Sequence, residues 1–192
     1  MVDFTATHPL DDFFAGKDAG EGKELSVKVM QEHEIIQVFA SKGKTPAVER
    51  ALKIKQSPGK ATLTKDFTAI PLTEGQWMLV SAKPGSDNFG DKTQSKLKKN
   101  GYVSEQSDAR VIFRLSGQRA REMMQKGCRL DLDPSVSGKG WCAQTQMAQA
   151  GVIVCQMDDK PTYDLMVYSG FAQHFAEWLE HTGAQLGIQF SR

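Results

Sequence analysis

Apolar residues in this chain fall in short runs, most of them alternating with polar ones, and turn-forming residues separate the runs. Leu25-Ser26-Val27-Lys28-Val29 has the period of a half-buried strand. Ile35-Ile36-Gln37-Val38-Phe39-Ala40 predicts a second strand. Thr45-Pro46 then opens a helix: Thr45 caps it, and Pro46 stands where a missing N–H costs nothing. Val48, Ala51 and Leu52 give this helix one apolar face, and Pro58-Gly59 closes the segment. Further strands are predicted over 61–63, 67–72 and 76–82. In the last of these, Trp77-Met78-Leu79-Val80 is apolar without a break, as in a central strand covered on both faces. The turn cluster Pro84-Gly85-Ser86-Asp87-Asn88 leads to a polar helix over 89–99. Asn100-Gly101 stops it, with Gly101 expected to supply a left-handed cap.

The second half reads similarly. Val111-Ile112-Phe113-Arg114-Leu115 is a strand, and Ser116-Gly117 starts a helix in which Ala120, Met123 and Met124 share a face. After Gly127 comes an irregular stretch from Cys128 to Trp141. Strands are predicted over 152–157 and 163–168, joined by the hairpin turn Asp158-Asp159-Lys160-Pro161. Ser169-Gly170 opens a last helix with an apolar face of Phe171, Phe175, Trp178, Leu179 and Thr182.

Each half thus runs strand, helix, strand, strand, helix, the order of a split β-α-β unit. The fold class expected is α+β, with two related split β-α-β (ferredoxin-like) halves carrying antiparallel sheets. Two helices cover one face of such a sheet, so its other face needs a second cover, from the other half or from a partner. The repeats are placed at about 25–101 and 102–192 of one domain. Residues 1–24, rich in Gly, Asp and Lys, read as an extended N-terminal arm. Phe4, Phe13 and Phe14 need burial there, against this domain or against a partner chain.

Composition narrows the function classes. With 24 Lys and Arg against 23 Asp and Glu, the net charge of +1 gives no drive toward nucleic acid or anionic lipid. The run Lys96-Leu97-Lys98-Lys99 reads as a solvated helix end. No stretch has the 18 or so apolar residues of a membrane span, and residues 1–23 lack the hydrophobic run of a signal peptide. The odd number of cysteines, Cys128, Cys142 and Cys155, fits reduced thiols in the cytoplasm.

Candidate chemistry is thin. His8 and His33 fall in the arm and at a turn, and His174 and His181 flank the last helix's apolar face. Cys-x-x-Cys, His-x-x-x-His and dense Asp loops are absent, so no metal ligands are assigned. Asp131, Asp133, Asp158 and Asp159 read as turn residues, and Gly138-Lys139-Gly140 as a loop. The three cysteines read as small buried hydrophobes. No catalytic or cofactor-binding residue is assigned.

Gly127-Cys128, Leu130-Asp131-Leu132, Pro134, Cys142-Ala143-Gln144-Thr145 and Pro161-Thr162-Tyr163-Asp164-Leu165 together resemble the gamma subunit of heterotetrameric sarcosine oxidase. Leu115-Ser116-Gly117, Arg119-Ala120-Arg121, Phe171-Ala172 and Trp178-Leu179 extend the likeness, which is close over 105–182 and loose before it. Asp133 stands where that family often has a histidine, and 135–139 lacks an expected aromatic. The resemblance implies a fold similar to part of the glycine-cleavage T-protein. It implies a cofactor-free, non-catalytic subunit of a flavoenzyme that demethylates sarcosine to glycine, the one-carbon unit going to tetrahydrofolate or leaving as formaldehyde. Alpha and beta partners would carry FAD, FMN, NAD and the folate site, and a delta partner zinc. Assembly is the implied role, with the arm and the 128–141 loop as interface and Phe13, Phe14 and Trp141 as its anchors. Alternatives are the same role in a complex oxidising N-methylglutamate or dimethylglycine, a free-standing folate-binding or aminomethyl-transfer protein, and a thiol enzyme.

Overall fold

The computed structural model describes residues 8–17, 20, 24–85 and 88–192. The chain begins with a single helical turn, α1 (Asp11–Phe14), and a strand, β1 (Leu25–Met30). A first repeat follows: β2 (Ile35–Ala40), α2 (Thr45–Leu52), β3 (Thr62–Leu63), β4 (Phe67–Thr73), β5 (Gln76–Ser81), α3 (Phe89–Leu97) and β6 (Gly101–Glu105). A second repeat has the same order: β7 (Arg110–Ser116), α4 (Ala120–Gln125), β8 (Cys142–Met147), β9 (Ala150–Gln156), β10 (Tyr163–Tyr168), α5 (Ala172–Gly183) and β11 (Ile188–Ser191).

Sheet order makes the kinship explicit. The first repeat forms a five-stranded sheet, β3-β4-β5-β2-β6, antiparallel throughout. The second forms a six-stranded sheet, β11-β1-β7-β10-β9-β8. The two orders are identical except that β1 is inserted between β7 and β11, parallel to β11 and antiparallel to β7. Both are split β-α-β units extended by one edge strand.

Alternation along the strands decides what packs where, because successive side chains point to opposite faces. Trp77 and Leu79 join Val48, Leu52 and Leu97 under α2 and α3, while Met78 between them faces the other sheet. Phe113, Val154 and Leu165 lie under α4 and α5, while Ile112, Ile153, Cys155 and Met166 face inward. The result is four layers, helix, sheet, sheet, helix, and each repeat supplies the cover that the other's inner face requires. The unbroken run 77–80 is the central strand covered on both faces that its sequence predicts.

Four expectations need correction. The repeats span 35–105 and 110–191, because β6 pairs with β2 and β1 has crossed into the second sheet. The described part of the arm is a helical turn rather than extended chain, and Leu10 and Phe13 are buried in the larger core. Phe4 and the arm's positions 18, 19 and 21–23 lie outside the described residues, as do Ser86 and Asp87 of the turn before α3. Gly101 has an extended backbone (φ −176°); its need is steric, since a Cβ there would lie 2.5 Å from the Phe39 carbonyl oxygen. Phe171 stays 48% exposed in a 3₁₀ turn before α5, whose buried face is Ala172, Phe175, Ala176, Leu179 and Gly183, while Thr182 is only partly buried.

Two local devices hold this frame. The Glu34 carboxylate accepts from the amides of Phe89 (3.0 Å) and Gly90, satisfying free donors at the start of α3. The β8–β9 hairpin turns on Ala148 and Gln149, both with positive φ (50° and 62°), and the His174 ring pairs with the Ala148 carbonyl at 2.9 Å. Such a turn favours Asn-Gly, and side chains with a Cβ resist it. The double variant Ala148→Asn, Gln149→Gly is therefore expected to stabilise the chain by about 1 kcal/mol in urea unfolding. An unchanged or lowered midpoint would contradict this reading of the turn.

Candidate functional site

A cleft of about 930 Å³ opens where the two sheets part, lined by Lys28 on β1, Thr68 on β4, Arg114 on β7 and Asp164 on β10. Arg114 and Asp164 are direct cross-strand partners whose parity turns both side chains away from the helices. The guanidinium donates from Nε to Oδ1 at 2.7 Å and from Nη2 to Oδ2 at 2.8 Å, a bidentate pair. Asp164 raises Arg114 above its ordinary pKa through these bonds. A carboxylate engaged on both oxygens has little capacity as a general base, so this pair acts as a fixed electrostatic pin at the cleft wall.

The thiols are also quiet. Cys142 and Cys155 face each other across β8 and β9 on the inner side, and Cys128 lies at the end of α4. Burial pushes Cys142 up to about 11, and Cys155 and Cys128 also above the ordinary thiol value. The neutral thiol is the form favoured in the fold at neutral pH, so no ready thiolate nucleophile results. The sign of the linkage follows: unfolded thiols ionise near 9 and the buried ones later, so stability is lost as pH rises from about 9 toward 11. Alkylation of the folded chain at pH 7–8 is expected to leave Cys142 and Cys155 unmodified in mass spectrometry. Rapid labelling of either would overturn this.

The other candidates resolve into structural parts. Asp131 accepts from the amide of Asp133, and Asp133 accepts from the amide (2.8 Å) and hydroxyl (2.6 Å) of Ser135, bonds that hold Asp133 below its usual range. Asp158 accepts from the amides of Lys160 and Thr162 and from the Thr162 hydroxyl. Among the described residues no group of three or more His, Cys, Asp and Glu side chains is placed to hold a metal ion.

The expected interface residues divide. Phe13 is 5% exposed, its ring 5.1 Å from Phe190, with the Lys17 ammonium 3.6 Å over it. It is an anchor within this chain, and it is not free to dock a partner. Phe14 is half-buried beside Phe13, under the Arg192 guanidinium at 4.4 Å. Trp141 packs half-buried against the larger core and forms an antiparallel bridge with Lys60. The 128–141 loop is tied down from inside, by buried Leu132 and by Arg121, which bonds the Leu132 carbonyl. Sequence reading missed the Arg114–Asp164 pair, although an arginine inside the apolar run 111–115 was a signal that it would need a partner.

The sequence matches the sarcosine oxidase, gamma subunit family over residues 40–185. No curated protein matches it. The fold is similar to a chain of heterotetrameric sarcosine oxidase from Corynebacterium sp. U-96 in complex with pyrrole 2-carboxylate, with 17% identity and a TM-score of 0.81 over 94% of this chain and 96% of that one. It is also similar to glycine cleavage system aminomethyltransferase T from Bartonella henselae, with 13% identity and a TM-score of 0.70 over 95% of this chain and 58% of that one. These likenesses agree with the α+β, antiparallel expectation. No helix among the described residues is long and apolar enough to cross a membrane. Because the family match covers most of its length, this chain belongs to the sarcosine oxidase gamma subunit family.

Proposed function

We propose that this chain is the non-catalytic gamma subunit of a cytoplasmic, heterotetrameric sarcosine oxidase-like flavoenzyme. Its task is to present a rigid surface that holds larger partner chains in register. The complex would oxidise the N-methyl group of sarcosine to yield glycine, and pass the one-carbon unit to tetrahydrofolate or release it as formaldehyde. FAD, FMN, NAD and folate would sit in alpha and beta partners and zinc in a delta partner; the donor set of the described residues does not fit a zinc site.

The observation that carries this reading is the family match over 40–185. An interior that keeps its thiols protonated and both Asp164 oxygens engaged supports it. The likeness in fold to a chain of a heterotetrameric sarcosine oxidase, over 94% of this chain, supports a part in an assembly.

The test is purification of the tagged chain from its native host. Co-elution of larger, yellow, flavin-bearing chains with sarcosine-dependent oxygen uptake is the expected result. Elution alone, or turnover or folate binding by the isolated chain, would refute the proposal.

A further inference from the structure

The four outer edges of the two sheets are not treated alike. The outer side of β6 is closed by Gln94, whose side chain accepts from the Val103 amide at 2.9 Å and donates to the Gly101 carbonyl at 3.1 Å. The outer side of β11 receives the amide of Gly20 on the Phe190 carbonyl at 2.9 Å. β3 has two residues, and Ala61 beside it donates to the Gly140 carbonyl at 2.7 Å. Such coverings are how proteins keep free edges from pairing with other chains.

β8 is the exception. Its register gives the direction of every group. The Gln156 amide donates to the Trp141 carbonyl, while the Cys142 amide points the other way, to the Gly59 carbonyl at 3.0 Å. Cys142 and Cys155 are therefore a non-hydrogen-bonded pair, and Gln144 and Gln146 also direct their backbone N–H and C=O outward. The backbone groups of these two residues have no partner among the described residues. The ladder begun by Gly59, and by the bridge of Lys60 to Trp141, stops short. The strand, Cys-Ala-Gln-Thr-Gln-Met, has no charge and no proline to discourage a neighbour.

The surroundings of that edge specify a guest. At one end lies a pocket of about 560 Å³ walled by Pro58, Pro71, Leu72 and Ala143. At the other, the inner face of the six-stranded sheet runs past its cover and leaves a shelf of about 380 Å³ with Arg110, Tyr168 and Gly151. The Arg110 guanidinium stacks 3.6 Å over the half-exposed Tyr168 ring, and its buried Nε has no hydrogen-bond partner. Among the described residues no carboxylate forms an ion pair with it. Arg110 stands on β7, three strands in from β8, but it opens onto the same shelf as Gln144 and Gln146, so a buried guanidinium donor left open there calls for an acidic group on a segment that pairs with β8 and continues over the shelf.

We infer that β8 is a docking edge: an extended segment of a partner subunit adds a strand there, pairing with the backbone of Gln144 and Gln146, an apolar side chain in the Pro71–Leu72 pocket and a carboxylate on Arg110. The inference rests on the subunit reading and locates its interface.

The test uses the assembled complex purified through a tag on this chain. Hydrogen exchange in the 142–147 peptide is expected to slow in the complex relative to the free chain. Gln144→Pro removes an outward donor and leaves the β8–β9 ladder intact, since that amide faces away from β9. It is expected to cut co-purification roughly tenfold or more, and Arg110→Gln to do likewise, while both free chains melt within a few degrees of the unaltered one. Should Gln144→Pro fail to fold, Arg110→Gln and the exchange measurement still decide. Normal assembly of Arg110→Gln with unchanged exchange at 142–147 would overturn the docking edge and leave the subunit reading standing. Failure of the unaltered chain to capture any partner would remove both. A homodimer of the free chain that dissociates on Gln144→Pro would assign the edge to a second copy, against the inference.

Discussion

Gly117→Ala is expected to destabilise the chain by about 2–5 kcal/mol, a large part of the stability of a domain this size. Two independent causes add. The backbone there has φ +111°, a conformation that L side chains rarely adopt. A Cβ would also lie 2.4 Å from the Glu24 carbonyl oxygen and 2.8 Å from its carbon, which are backbone atoms and cannot swing aside. Glu24 leads directly into β1, whose register with β7 pairs Ser26 with Ser116, and its carbonyl accepts from the Arg119 amide at 3.0 Å. The substitution thus presses on the junction where the inserted strand meets the second repeat. Urea unfolding followed by circular dichroism measures the effect. Gly151→Ala is the control, because a Cβ there meets nothing within 4 Å and φ is not positive. Equal midpoints for the two variants would sink the argument.

Much of this fold was legible because strands covered on both faces, or on one, write their covering into the chain. Trp77-Met78-Leu79-Val80 and Val111–Leu115 were recognisable from their side chains alone. β8 was missed because Gln144 and Gln146 are exposed and its apolar content is slight, so a six-residue strand reads as loop. β6 and β11 were missed at the ends of helices, where Gly101-Tyr102-Val103-Ser104 and Ile188-Gln189-Phe190 are too short for a clear period. The place of β1 was out of reach for a different reason. Alternation fixes which face of a strand is buried, but not which sheet it joins, and that choice depends on the gap between β7 and β11.

The functional surfaces show the same division. Local signals failed where tertiary contact decided the outcome: Phe13 and Phe14, suspect as loose aromatics, are held by Phe190, Lys17 and Arg192 from the same chain. Asp164 stood in a recognisable motif, yet its partner fifty positions away on β7 followed only from register. The open edge of β8 is a statement about missing neighbours, and a chain of letters carries no such information.

Met78→Lys is expected to cost about 4–5 kcal/mol or more and to unfold the chain near neutral pH, since an unpaired ammonium cannot be held between the sheets. Met78 is 0% exposed and sits among Ile35, Ile70, Ile112 and Met166, with contributions from both repeats. If each repeat were stable alone, the variant would keep two folded halves that merely part, and circular dichroism would change little. The architecture argues otherwise, because each sheet has helices on one face only and the inner face has no other cover. Loss of far-ultraviolet signal in a single cooperative transition is therefore the expected outcome. The pH dependence gives a second handle. Burial lowers the folded-state pKa of the introduced lysine below its unfolded value, so stability returns as pH rises toward the ordinary lysine range. Between pH 6 and 9, before the cysteine thiols begin to oppose it, Met78→Lys should gain stability while Met78→Leu stays flat and near the unaltered chain. A Met78→Lys variant as stable as Met78→Leu at pH 6 would show that the repeats do not depend on this contact.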